Sequence, residues 1–132
     1  MKIPLRCERY LGIIKLENPD LITVMLGTND ILSGVSAEQT SERMNDFISH
    51  IQNEGKRILL IAPPHLQFGE WVHNEDYLDE SCELADLYRE VANNTGCMFA
   101  DAGEWDIELA FDGVHFSEEG HRRFARKLNE LL

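Results

Sequence analysis

No run of apolar residues in this chain approaches the roughly 20 needed to cross a bilayer as a helix. A helical membrane span is therefore not expected. Cysteine is scarce: Cys7, Cys82 and Cys97 are an odd set with wide spacing and no Cys-x-x-Cys pair. That favours reduced thiols, as in a cytoplasmic protein, over a disulfide framework. No signal peptide precedes the first element, which points the same way. Basic residues are also few, 12 Lys and Arg against 24 Asp and Glu, for a formal net charge of -12. Such a surface repels phosphate backbones and anionic membranes, so nucleic acid and membrane are not expected partners. The basic cluster Arg122, Arg123, Arg126 and Lys127 does not reverse this, because it falls in the final helix, where cations suit the negative end of the dipole.

What is present is an ordinary globular composition, 43% apolar over 132 residues. That fits one domain with a real core, residues 1–132. No repeat, linker or low-complexity segment interrupts it.

The periodicity alternates. Residues 5 to 17 carry Cys7, Tyr10, Leu11 and Ile14 at helical spacing. Asn18-Pro19-Asp20 stops that helix. Leu21 to Leu26 is β-rich and nearly all apolar, which predicts a strand covered on both faces. Ser36 caps the next helix, with Gln39 as capping-box partner and Met44, Phe47, Ile48 and Ile51 as its stripe. Gly55 ends it. Arg57 to Ala62 is a second buried strand, and residues 63 to 75 form a loop with Phe68, Trp71 and His73. A helix from about Glu75 to Asn94 turns Leu78, Leu84, Ala85, Tyr88, Val91 and Ala92 to the core, and Gly96 stops it. Cys97 to Ala100 is a third strand. A second long loop spans residues 101 to 116. Ser117 then caps a last helix expected to bury Phe124, Ala125, Leu128 and Leu131. Strands alternating with helices imply a parallel sheet with helices on both faces.

Two segments carry chemistry. Gly27-Thr28-Asn29-Asp30 leaves the first strand, and Asp112-Gly113-Val114-His115 precedes the last helix. In an open α/β sheet ligands bind beyond the carboxyl ends of the strands, so these segments should converge. His115 is the natural general base. Asp112 can turn back within one loop and orient the imidazole. Asn29 offers a neutral N–H donor suited to an oxyanion, and Gly27 lets backbone approach a ligand closely. Taken alone, an Asp-x-x-His is common and Gly-Thr-Asn-Asp is a plausible turn. Asp112, His115 and His121 match no standard zinc spacing, and no metal or cofactor is implied. Phe68, Trp71 and Trp105 either line a pocket or cover the core.

In their order and their setting of strands and helix, the two segments resemble the last two catalytic blocks of the SGNH hydrolases, the GDSL-type esterases and lipases. The resemblance runs from about Pro19 to the C-terminus. It implies a three-layer α/β/α, flavodoxin-like parallel sheet, here represented by about its last three strands. It implies hydrolysis of a small-molecule ester through an acyl-enzyme. His115 would be the base, Asp112 its orienting acid, and Asn29 with Gly27 the oxyanion hole. Asp30 would tie the turn, and His121 would be structural.

The family's Gly-Asp-Ser nucleophile block has no counterpart. Ser33, Ser36, Ser41, Ser49, Ser81 and Ser117 stand in other contexts. Gly34-Val35-Ser36-Ala37-Glu38 lacks the last glycine and the preceding strand of a nucleophile elbow. Ser36 and Ser117 read as helix caps, and Cys97 as core. Two outcomes stay open: a hydrolase whose serine this chain does not contain, or a non-catalytic remnant acting as an oligomeric or binding module. With only the last three strands present, Leu21 to Leu26 becomes a sheet edge, expected to pair with a second copy as a homodimer or homo-oligomer.

Overall fold

The computed structural model describes residues 5–132, and side chains from Arg9 onward. The position expected for the Cys7 side chain lies outside the described residues. Helix α1 (Leu5–Glu17) leads into strand β1 (Leu21–Val24). A short helix α2 (Thr28–Leu32) and helix α3 (Ala37–Asn53) follow. Strand β2 (Arg57–Ala62), helix α4 (Glu75–Thr95) and strand β3 (Met98–Asp101) come next. A 3-10 turn (Ala102–Glu104) and helix α5 (Glu118–Leu131) complete the chain.

The three strands form a parallel sheet in the order β1-β2-β3. Ile22 pairs with Ile58 and Val24 with Leu60, and Leu60 pairs in turn with Phe99. Because side chains alternate across a strand, β2 feeds both layers. Ile58, Leu60 and Ala62 join a core with Met44, Phe47, Ile48 and Ile51 of α3 and with Leu84, Tyr88 and Val91 of α4. Leu59 and Ile61 face the other way, toward Ala100, Ala102, Trp105, Phe124 and Leu128. Helices thus lie on both sides, the arrangement an alternating strand–helix pattern requires.

The caps follow local chemistry. Ser36 Oγ accepts the Gln39 N–H at 3.1 Å, and Ser117 Oγ accepts the Gly120 N–H at 3.0 Å. Each satisfies a donor that the first helical turn leaves free.

Four expectations need correction. The first strand ends at Val24, not Leu26, and only one of its faces is covered: Thr23 is exposed. The reason is lateral. α5 lies over β2 and β3, and nothing among the described residues shields the far side of the outer strand. The last helix is shallower than its stripe suggests. Phe124 and Leu128 pack on the sheet, but Ala125 is exposed and Leu131 is 53% exposed. The sheet is too narrow to receive a full helical face. Finally, Gly27 to Asp30 is not a plain turn, since Thr28 already opens α2. The third strand also sits one residue later than expected, at Met98–Asp101.

Candidate active site

The site is built at the carboxyl ends of β1 and β2. A cleft of about 410 Å³ is lined by Gly27, Thr28 and Asn29 from one side and by Val114, His115 and Phe116 from the other. Tyr10, Met25, Leu26, Pro63, Pro64 and His121 complete its walls. The two segments singled out in the sequence therefore converge.

Asp112 and His115 form a tight pair. His115 Nδ1 lies 2.6 Å from Asp112 Oδ2. Asp112 Oδ1 accepts the backbone N–H groups of Val114 and His115 at 2.8 and 2.9 Å. The carboxylate is buried, whereas the imidazole is 62% exposed in its side chain. The hydrogen bond from His115, helped by the Val114 and His115 N–H groups, holds the Asp112 carboxyl below its ordinary range despite burial. An ionised Asp112 fixes a proton on Nδ1 and leaves Nε2 free to take one.

Gly27 is shaped by its neighbours. Its φ is 129°, and a Cβ there would stand 2.5 Å from the Tyr88 hydroxyl and 2.9 Å from Leu84 Cδ2. Tyr88 is fully buried, and its hydroxyl donates to the Leu26 carbonyl at 2.8 Å. Tyr88 thus pins the exit of β1 from beneath. Asn29, the second residue of α2, is exposed on the cleft.

A contact absent from the sequence reading braces the acidic loop. The segment Gln67 to Val72 runs against residues 111 to 113. Gln67 N–H donates to the Gly113 carbonyl at 3.0 Å, Glu70 N–H to Phe111 at 3.0 Å and Trp71 N–H to Asp112 at 3.1 Å. Gly113 has a φ of 81°, and a Cβ on it would meet the Gln67 carbonyl oxygen at 2.1 Å. Gly69 faces it, where a Cβ would stand 2.6 Å from the Phe111 carbonyl oxygen, so the two glycines were the sequence signals of this approach. Trp71 lies edge to face with His115, ring centroids 5.2 Å apart at 81°. Of the three loop aromatics, Phe68 and Trp71 are exposed, while Trp105 packs on Phe124 in the core.

The chain belongs to the GDSL-like lipase/acylhydrolase family, whose pattern it matches over residues 5–123. Solved structures agree. A carbohydrate acetylesterase family member from Sinorhizobium meliloti is 26% identical, with a TM-score of 0.77 over 95% of this chain and 66% of that one. A putative arylesterase from Agrobacterium tumefaciens str. C58 is 27% identical, with a TM-score of 0.74 over 94% of this chain and 68% of its own. The M. smegmatis aryl esterase, 23% identical with a TM-score of 0.80 over 96% of this chain and 68% of its own, shares the fold. This family member spans about two thirds of the length of the structures it resembles. No curated protein matches its sequence.

The serines of this GDSL-like chain are all engaged elsewhere. Ser33, Ser41 and Ser49 donate to carbonyls one helical turn back, at 2.8, 2.8 and 2.9 Å. Ser36 and Ser117 are caps, and Ser81 Oγ accepts the Leu66 N–H at 2.8 Å. Cys82 Sγ stands 3.4 Å from His65 Nδ1, but burial and then Asp79, Asp86 and Asp101 push its thiol up, away from a reactive thiolate. His121 packs its ring on Phe116, 5.2 Å between centroids. Among the described residues, no three His, Cys, Asp or Glu side chains gather as metal ligands. No described helix is long and apolar enough to cross a membrane.

Proposed function

We propose that this chain carries the proton-handling half of a serine-type ester hydrolase. The observation that carries the reading is the Asp112–His115 pair at 2.6 Å, set on the same cleft as Asn29 and Gly27. In the reaction, His115 Nε2 takes the proton of an attacking hydroxyl and returns it to the leaving alcohol. Asp112 stays ionised and steadies the imidazolium. Asn29 and the Gly27 backbone donate to the oxygen that becomes negative in the tetrahedral intermediate. The substrates are small acyl esters, acetylated sugars among them, a class supported by the acetylesterase likeness. The nucleophilic serine comes from residues other than these 132, since none of the six serines present stands free beside His115.

The same serine inventory favours a second reading, a non-catalytic module that keeps the fold and associates through its sheet edge. Among the described residues β1 pairs on one side only, and a groove lined by Tyr10, Ile13, Ile22 and Thr23 runs along it. A second copy pairing there would cover both. The readings part on one observation, the coding DNA upstream. An in-frame Gly-Asp-Ser segment supports the hydrolase, and its absence supports the module.

A further inference from the structure

The imidazole of His115 is 62% exposed, yet its geometry with Asp112 is tight. An exposed ring on a loop has rotamer freedom to lose, and one hydrogen bond does not by itself fix both of its torsions. The only other ring contact on His115 among the described residues is Trp71, perpendicular at 5.2 Å. We propose that Trp71 is a positioning residue for His115, holding the imidazole with Nδ1 on Asp112 and Nε2 toward the cleft.

The proposal rests on the base role assigned to His115 above. Two independent links tie Trp71 to the pair. The indole ring flanks the imidazole, and the Trp71 N–H donates to the Asp112 carbonyl at 3.1 Å. Trp71 therefore grips the base by its side chain and the acid by its backbone. Its own place is set from below. Gly69 and Val72 exchange both backbone hydrogen bonds, at 3.1 and 3.2 Å, so Glu70 and Trp71 form the tip of a tight hairpin. Val72 is fully buried and anchors that hairpin in the main core. The indole itself is 59% exposed, so burial is not what it is there to supply. A perpendicular aromatic pair has a preferred geometry, which a merely apolar side chain would not impose. Among the described residues, Asp112 is the one charged group hydrogen-bonded to the ring, and His121 shares the cleft wall.

The test is ring proton–nitrogen NMR of the whole chain with labelled histidine, a readout that needs no turnover. The native protein should show a single His115 tautomer, its Nδ1–H signal protected, with cross-relaxation between indole and imidazole protons. Trp71→Ala should lose the Nδ1–H signal to exchange and average the two nitrogens, while backbone spectra stay dispersed. Trp71→Phe should restore the signal. An unchanged tautomer and Nδ1–H signal in Trp71→Ala would overturn the proposal. So would the absence of indole–imidazole cross-relaxation in the native chain, a result that holds even if the alanine variant does not fold. Asp112→Ala, which leaves no side-chain acceptor, separates the two claims: if it leaves the Nδ1–H signal intact, the acid–base pairing itself fails, whatever Trp71 does.

Discussion

His115 Nδ1 sits 2.6 Å from Asp112 Oδ2, and the other carboxylate oxygen of Asp112 is held by two backbone N–H groups. One loop of four residues thus supplies an imidazole, a carboxylate and the scaffold that orients them. The carboxylate is fixed by the backbone, the exposed imidazole by the carboxylate.

This arrangement has a pH consequence. The Asp112 carboxyl is lowered by its hydrogen bonds, so protonating it is harder in the folded chain than in the unfolded one, where such a group titrates near about 3.9. Its stabilisation is complete above about pH 5 and is lost as pH falls through the lowered folded value. Asp112→Asn should therefore be less stable than the native chain at neutral pH, with a gap that closes in acid. Urea midpoints from pH 7 to pH 3 measure it. A gap of constant size would count against the pairing.

Gly27 permits no side chain. Gly27→Ala places a Cβ against the buried Tyr88 hydroxyl and at a φ that L residues avoid. Strain and overpacking together should cost about 2–4 kcal/mol in urea unfolding. Tyr88→Phe, which removes the bond to the Leu26 carbonyl, should cost about 1–2 kcal/mol. Combining the two should relieve part of the clash, so the pair should be less than additive. Strict additivity would argue that Tyr88 does not set the Gly27 turn.

Gly113 is the corresponding point on the acidic loop. Gly113→Ala meets the Gln67 carbonyl and forces the two loops apart. The Gln67 and Trp71 backbone amides, now hydrogen-bonded across the junction, should exchange with solvent markedly faster. Amide exchange that stays slow at both residues would contradict the loop-to-loop brace.

The exposed Thr23 on the outer strand makes a test of association. If a second copy pairs along β1, Thr23→Lys should shift sedimentation toward monomer, because a charge on an edge strand opposes further pairing. A native chain that is already monomeric at high concentration would end the idea.

The sequence and the structure agree where a side-chain pattern carried the information. β2 spans Arg57–Ala62 as its unbroken apolar run implied, and the Ser36 and Ser117 caps are formed. The two chemical segments meet because strand polarity places both at one end of the sheet. The misreadings arise where neighbours rather than pattern decide. Thr23 and Leu131 belong to apolar stripes, yet the narrow sheet leaves them in solvent. Thr28 to Asp30 are residues of modest helix propensity, so a turn was the natural reading, but they begin α2. The brace of Gln67 to Val72 on Asp112 is made by backbone hydrogen bonds, which leave no periodicity behind. Gly69 and Gly113, which face each other across it, were the hints.

The central claim is that this chain holds the base and acid of an ester hydrolase while its own six serines serve the fold. Hydrolysis of p-nitrophenyl acetate by the chain and by His115→Ala tests that most directly. The account predicts no acyl-enzyme burst and no saturable turnover in either, with at most the slow background of an exposed imidazole in the native chain. Robust, saturable turnover that His115→Ala abolishes would contradict it, because a nucleophile would then have to lie among these residues.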